Sequence, residues 1–377
     1  MKQPRTKICF VASHFIQGGA ERQITELIKI LIKNNFDISL LLYQSDQIFY
    51  RELYDLNINL ILNKKTQSKF KIIKWINNLA FLRKNLKNTS FDVLHTYLFF
   101  NGLIVRLFFY RQFKGKILYS VRNSYEDTSK LFYCLDKILN YRSINVYNSK
   151  KSLLQIFPNS SVETRSNNIV IYNGYNFSKF DIPKEKESNT VMIGMVGRMT
   201  YQKNQIQGLM VFSKILSSFN CNLRLLIIGE NDIDQFLRLK NFIKNNKLED
   251  SVELLEPQKN IENYYSKFDI FLLPSHYEGC PNVLFEAMIS RCLSVVSSGS
   301  NSDSFVKDGF NGFVYDGSDS MLQDKLTEAI TAVMNNKTSV MLENAYNYAQ
   351  KNFSIELMGD QYLRLYNKIC IESIIRK

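Results

Sequence analysis

Several absences narrow the reading before any motif is considered. The six cysteines, Cys9, Cys134, Cys221, Cys280, Cys292 and Cys370, are scattered and form no CxxC pair. That spacing argues against a disulfide framework or a zinc site and fits reduced thiols in a cytoplasm. No segment is collagen-like or low in complexity, and the abundant Lys, Asn and Ile tint the chain evenly, as genomic composition does. The longest apolar run, Tyr97 to Tyr110, is broken by Asn101 and Arg106 and is too short to span a bilayer. Met1–Arg5 leads directly into the strand pattern KICFVAS, so no signal peptide is expected. The P-loop pattern G-x-x-x-x-G-K-[ST] is missing, and Gly18–Gly19 does not belong to a GxGxxG fingerprint. No recognised nucleic-acid-binding motif is present.

What is present is a chain of 377 residues, 45% hydrophobic and 13% aromatic, long enough for two domains. The net charge of +13 is unevenly placed. Residues 1–178 hold 26 Lys and Arg against 11 Asp and Glu, whereas residues 179–377 hold 22 against 24. A basic first half points to a negatively charged partner: nucleic acid, an anionic membrane or an acidic substrate.

Strand and helix patterns alternate along the chain, which predicts parallel α/β layers. Lys7–Ser13 reads as the first strand and Ala20–Lys33 as a helix with Ile24, Leu27, Ile28, Leu31 and Ile32 on one face. Gly18 and Gly19 lie at their junction, either to let the backbone approach a phosphate or sugar, or simply to make a tight turn. Lys64–Asn88 carries eight Lys and Arg, no acid, and interleaved apolar residues that include Trp75. This composition fits a basic helix on an anionic membrane, or equally a helix whose apolar face packs on the sheet. His95 is expected at the carboxyl end of a strand, Phe91–His95, where open α/β sheets bind ligands. A lone histidine there is either structural or catalytic. Arg122, after the strand Lys116–Val121, either holds an acceptor phosphate or is a surface residue. A turn-rich segment from Asn173 marks the interdomain linker.

The second half offers two stretches with chemistry in them. In VMIGMVGRMTYQKNQ, a strand ends at a turn on Gly197, and Arg198 and Lys203 flank that turn. A guanidinium and an ammonium near a helix N-terminus make a diphosphate clamp without a metal. In LLPSHYEGCPNVLFEAMI, a buried strand, Asp269–Leu273, ends at Pro274 and Ser275, and Gly279 and Pro281 shape the following turn. Asn282 is expected to cap a helix with Val283, Leu284, Ala287 and Met288 on one face. Glu278 and Glu286 bracket the turn, placed to accept hydrogen bonds from sugar hydroxyls beside N–H groups that attract an anion. The plainer reading is a βα loop with solvated glutamates.

GGAER near the N-terminus, GRMTYQKN in mid-chain and EGCPNVLFEAM with glutamates eight apart resemble the retaining "group 1" glycosyltransferases of the GT-B fold. YNGYNFSKF at the linker and DGFNGFVY from Asp308 follow the same pattern in the same order, so the resemblance covers nearly the whole chain. It implies two Rossmann-like domains facing each other across a cleft: residues 1–178 for the acceptor and membrane, residues 179–354 for the nucleotide-sugar donor. A C-terminal helix, 355–377, would return to the first domain, consistent with apolar Leu357, Leu363, Leu365, Tyr366 and Ile369 at helical spacing. The resemblance further implies that Arg198 and Lys203 hold the diphosphate, Glu286 the ribose and Glu278 the donor sugar. Gly279, Pro281, Asn282 and Val283 would offer a backbone cradle, and Gly18 and Gly19 would close over the diphosphate.

No metal and no cofactor are expected, the donor nucleotide-sugar (a UDP-sugar is favoured) being a substrate. The expected reaction is hexosyl transfer with retention to a polyprenyl-diphosphate-linked or glycan acceptor. The setting is assembly of a bacterial surface polysaccharide such as capsule or lipopolysaccharide, peripheral on the cytoplasmic face of the inner membrane, with no nucleic acid as partner. The sequence departs from the family at Tyr97, where many members carry a second histidine, at Arg291, where glycine is usual, and at Cys280, where a larger apolar residue is common. Whether His95 or Tyr97 serves near the reacting carbon stays open. Two other classes compete with this reading. A GT-B nucleotide-sugar epimerase needs an acid and histidine constellation that three histidines do not provide. A basic nucleic-acid-binding protein would leave the diphosphate clamp without a role.

Overall fold

The computed structural model describes residues 5–15, 19–44, 52–63, 70–87, 89–122, 129–158, 167–185, 189–230 and 232–375. The chain divides into two compact units, residues 1–174 with 356–377, and residues 175–355. The division falls four residues before the expected boundary at 178, at the start of the turn-rich segment from Asn173.

The first unit is built on β1 (Lys7–Ala12), β2 (Asp37–Leu42), β3 (Asn59–Leu62), β4 (Val93–Tyr97), β5 (Ile117–Val121), β6 (Ile144–Tyr147) and β7 (Asn168–Val170). These form one sheet in the order β3-β2-β1-β4-β5-β6-β7, every pairing parallel. Continuous apolar runs such as the buried Val11, Leu40, Leu41 and Leu94 are what a sheet covered on both faces requires. The helix Gly19–Lys33 turns Ile24, Leu27, Ile28 and Leu31 onto the sheet, with Glu21 in its first turn and Lys33 in its last, each favoured by the helix dipole. Each such fully buried aliphatic contributes about 1.5–3 kcal/mol relative to exposure.

The last helix, Ile355–Ile375, belongs to this unit except for its first residue, with Tyr362, Tyr366 and Ile369 fully buried. Gly359 lets it lie close to the helix Gly19–Lys33, since an added Cβ would meet Ile30 at 2.9 Å.

The second unit is built on β8 (Thr190–Val196), β9 (Asn222–Ile228), β10 (Val252–Leu255), β11 (Ile270–Leu273), β12 (Leu293–Ser297) and β13 (Phe313–Tyr315). Their order is β10-β9-β8-β11-β12-β13, again wholly parallel. In each sheet the winding reverses once, between β1 and β4 and between β8 and β11. That reversal opens a crevice outside the carboxyl ends of the central strands, the usual ligand position in such sheets. In the second unit, the loops that leave β8 and β11 carry the residues singled out above.

The strongly basic helix is observed over Lys71–Leu86. Lys64, Lys65 and Lys69 lie outside the described residues. Among the described residues, no helix is long and apolar enough to cross a membrane.

Candidate functional site

β8 hands over to a turn that only glycine accommodates. Gly197 has φ 144°, a region that excludes side chains, and its N–H donates to the Ile228 carbonyl at 2.9 Å. A Cβ on Gly229, after β9, would lie 1.9 Å from the Gly197 carbonyl oxygen. Two loops are thereby pressed backbone to backbone. Gln205, at the start of the helix Gln205–Ile215, donates from Nε2 to the carbonyl of Arg198 at 2.9 Å and so holds the turn from below. Arg198 itself is exposed and has no ion pair among the described residues.

The loop after β11 is fastened to this turn. The His276 N–H donates to the Gln202 carbonyl at 2.8 Å, and Gln202 Nε2 donates to the Tyr277 carbonyl at 3.0 Å. The Tyr201 and His276 rings lie 4.7 Å apart between centroids. The result is that Lys203 Nζ meets Glu278 Oε1 at 2.6 Å, with side chains only 14% and 8% exposed. Ser275 Oγ donates to the same carboxylate oxygen at 2.8 Å, and the Glu278 N–H donates to the Gly299 carbonyl at 3.2 Å. Glu278 is therefore a fixed, nearly buried carboxylate and not the solvated glutamate of the plainer reading.

One expectation is corrected here. The cap of the helix Asn282–Ile289 is Pro281, with φ −76° and ψ 100°, and Asn282 is the first helical residue. The Asn282 side chain instead accepts from the Tyr175 hydroxyl at 2.6 Å. Proline at the cap needs no N–H, and its carbonyl accepts from the Leu284 N–H at 3.1 Å. Ser302 Oγ fixes the Gly279 carbonyl at 2.9 Å, so Gly279, Pro281, Asn282 and Val283 form an anchored approach to that helix end. One helical turn on, Glu286 is only 4% exposed, and its Oε2 accepts from the Tyr265 hydroxyl at 3.1 Å. Arg198, Lys203, Glu278 and Glu286 thus stand along one sheet edge, with cations on the β8 loop and carboxylates on the β11 side. Sequence reasoning missed Ser275, Gln202, Gln205 and Tyr265, whose roles depend on loops far apart in the chain.

In the first unit, Gly19 opens its helix directly after the loop from β1, and Gly18 lies outside the described residues. His95 requires a correction. Its strand continues through Thr96 and Tyr97, so His95 is third of five residues and not the strand's end. It is fully buried, with Nδ1 hydrogen-bonded to the Tyr366 hydroxyl at 2.6 Å and Nε2 to Ser120 Oγ at 2.8 Å. Burial first, and the Arg122 charge second, hold its pKa well below the ordinary 6.5. Both ring nitrogens are occupied, so in this geometry His95 ties the last helix to β4 and β5. Tyr97 is equally buried, with the Arg122 guanidinium carbon 5.2 Å from its ring centroid. Arg122 is partly buried and donates to the Tyr362 hydroxyl at 2.8 Å, so it is no simple surface residue. Arg291 has φ 52°, the left-handed conformation in which glycine is most comfortable, and is held by an ion pair to Asp181 and by the Tyr346 ring 4.0 Å away.

Two doubly wound parallel sheets, the second with cations and two buried carboxylates at its switch point, are the architecture of the GT-B fold, as solved glycosyltransferases show. Residues 177–352, nearly the whole of the second unit, match the family described as glycosyl transferases group 1. The chain is 25% identical over 313 residues to the capsular polysaccharide biosynthesis glycosyltransferase CapH of Staphylococcus aureus, covering 81% of this chain and 84% of CapH. It is 24% identical over 399 residues to the UDP-Gal:alpha-D-GlcNAc-diphosphoundecaprenol alpha-1,3-galactosyltransferase of Escherichia coli, covering 99% and 98%. Among solved structures, a glycosyltransferase from Rickettsia africae superposes with a TM-score of 0.80 at 21% identity, over 97% of this chain and 98% of that one. HepE of Anabaena, solved with UDP and glucose, gives 0.80 at 18% identity, over 96% and 100%.

Proposed function

We propose that this chain transfers a hexosyl group from a UDP-sugar, with retention at the anomeric carbon, to a lipid-linked acceptor in the assembly of a bacterial surface polysaccharide. The observation that carries the reading is the convergence of Arg198, Lys203, Glu278 and Glu286 at the switch point of the second sheet. Arg198 and Lys203 supply positive charge where the departing diphosphate gains negative charge, an electrostatic stabilisation that needs no metal. The helix end at Pro281–Val283 adds N–H groups to the same anion. Glu286, held by Tyr265, accepts from the ribose hydroxyls. Glu278, fixed by Lys203 and Ser275, accepts from donor-sugar hydroxyls and orients the sugar for attack. A diphosphate oxygen takes the acceptor proton, so no strong protein base is demanded, which agrees with the enclosed position of His95.

Support for donor and acceptor comes from the relatives: one is named for UDP-galactose and a diphosphoundecaprenol acceptor, another for capsule biosynthesis. The proposed lipid-linked acceptor and the basic first half support a position at the cytoplasmic face of a membrane. Thermal shifts against UDP-, GDP- and ADP-sugars identify the donor, because a specific ligand stabilises the native state. Proton NMR of the product reads the anomeric configuration. A product of inverted configuration, or stabilisation by no UDP-sugar, would overturn the proposal.

A further inference from the structure

Residues 175–185 open the second unit, and they are fastened to both ends of the helix Asn282–Ile289. At the helix start, the Tyr175 hydroxyl donates to Asn282 Oδ1 at 2.6 Å, and the Tyr175 ring lies 5.4 Å from that of Phe285. Tyr175 is itself held: its N–H donates to the Phe353 carbonyl at 2.9 Å, and its carbonyl accepts from the Ile355 N–H at 3.0 Å. At the helix end, Ser290 Oγ donates to the Phe180 carbonyl at 3.0 Å, and Arg291 pairs with Asp181. The Tyr346 hydroxyl donates to the other Asp181 oxygen at 3.1 Å. Arg291 makes this pair at a φ of 52°, which disfavours a side chain, and such an outlier points to a constraint on the segment it holds.

Lys184 closes the strap. Its ammonium donates to the carbonyls of Tyr265, at 3.0 Å, and Phe268, and to Cys292 Sγ at 3.2 Å. The adjacent Glu185 N–H donates to the Ser266 carbonyl at 3.1 Å. These carbonyls lie at the end of the short helix Glu262–Tyr265, where a cation is favoured. Tyr265 is fully buried, with the ring of Phe180 from the strap 5.9 Å away. Its hydroxyl donates to Glu286 Oε2 at 3.1 Å. The Lys184 ammonium thus sets the backbone from which the partner of Glu286 is presented.

Both polar routes out of the strap end on groups assigned to the donor. One reaches the first residue of the helix end that faces the diphosphate, the other the carboxylate that faces the ribose. A helix of eight residues is too short to hold its own pose, and binding groups act only when kept within about 0.5 Å of the productive geometry.

We propose that Tyr175 and Lys184 are positioning residues for the donor. Tyr175, through Asn282, aims the helix end at the diphosphate; Lys184, through Tyr265, sets Glu286 against the ribose. The inference rests on the donor reading above and deepens it by making the strap 175–185 a part of the nucleotide site.

Calorimetry of the full chain with UDP, UMP and 2′,3′-dideoxy-UDP separates the two roles. The affinity ratio of UDP to UMP reads the grip on the diphosphate, and that of UDP to 2′,3′-dideoxy-UDP the grip on the ribose hydroxyls. Tyr175→Phe is expected to lower the first ratio about three- to tenfold, the scale of one hydrogen bond, and to leave the second unchanged. Lys184→Met is expected to lower the second and leave the first. Combined with Tyr265→Phe it costs no more than Tyr265→Phe alone, because the two act in series. Lys184→Gln, which keeps a donor for one carbonyl, gives a smaller loss in the second ratio and serves if Lys184→Met does not fold. A lowered melting midpoint with both ratios unmoved, or both ratios falling together in each variant, means that the strap only supports the fold and overturns the proposal. A parent chain that does not bind UDP overturns the donor reading and takes the positioning roles with it. Tight UDP binding by the parent with unmoved ratios in the variants overturns the positioning roles alone.

Discussion

Lys203 has two claims on it, and they can be separated. Its ammonium is held by Glu278 at 2.6 Å, in a pair whose members are 14% and 8% exposed. Either it serves only to fix that carboxylate, or it also meets the donor diphosphate. Lys203→Met keeps the stem and removes the charge. Glu278 would then keep Ser275 Oγ as the remaining side-chain partner of the same oxygen. Breaking one side of a fully buried pair costs ~3–5 kcal/mol, and the residual solvent contact here places the expected loss near the lower end, about 3 kcal/mol. For a unit of this size, 1 kcal/mol moves the midpoint by about 2–4 °C, so the second unit should melt about 6–12 °C lower.

Glu278→Gln removes the carboxylate charge, and the double variant should recover part of the stability lost in Lys203→Met, since no buried charge is left unpaired. Binding of UDP, measured by calorimetry, distinguishes the roles. Loss of a diphosphate cation should weaken UDP by on the order of tenfold or more and slow transfer by about a hundredfold. Glu278→Gln should leave UDP affinity intact, or raise it by releasing the ammonium, while lowering transfer. Were Lys203→Met to bind UDP as tightly as the parent protein, Lys203 would be only the anchor of Glu278 and the clamp would reduce to Arg198 and the helix end.

Three further outcomes follow from the same geometry. Arg198→Ala, which removes an exposed charge and no packing, should lower kcat on the order of a hundredfold with the melting midpoint unmoved, and EDTA should leave the parent activity unchanged in a purified assay. Glu286→Ala should weaken UDP binding, whereas Tyr265→Phe, which loses only the hydroxyl that orients Glu286, should do so to a smaller extent; calorimetry reads both.

His95 gives a pH dependence of defined sign. Its folded pKa is depressed below 6.5, so beneath that pH the unfolded chain binds a proton that the folded chain refuses. The stability present above pH 6.5 is then lost as the pH falls toward the folded value, at up to about 1.4 kcal/mol per pH unit. His95→Gln should be less stable than the parent at pH 7.5, and the gap should close by pH 5.5 in denaturant titrations. A gap that stays constant over that range contradicts a buried, neutral imidazole.

Much of this protein could be read along the chain. The alternation of apolar runs with amphipathic helices dictates parallel sheets covered on both faces, because each strand segment is apolar throughout and each helix has one apolar stripe. The glutamates on either side of the GCPN turn, and Arg198 with Lys203 after Gly197, are local patterns whose spacing places them on the loops of two strands without knowledge of the rest. The bias of charge toward the first half is likewise a property of composition alone.

Tertiary structure decided matters that depend on partners far away in sequence. Nothing near Lys203 announces that it will pair with Glu278, because the contact exists only once β8 and β11 lie side by side in the sheet. The strand of His95 runs past its expected end, and the neighbours Tyr362 and Tyr366 arrive from a helix at the other end of the chain. The basic helix could be read two ways, and folding divided its surface between them. Leu82 and Leu86 were buried, while Trp75, beside a cavity, and Ile76 stayed exposed. A sequence fixes which side chains are apolar or charged; which of them find cover is settled by the elements that pack against them, and that is a property of the assembled fold.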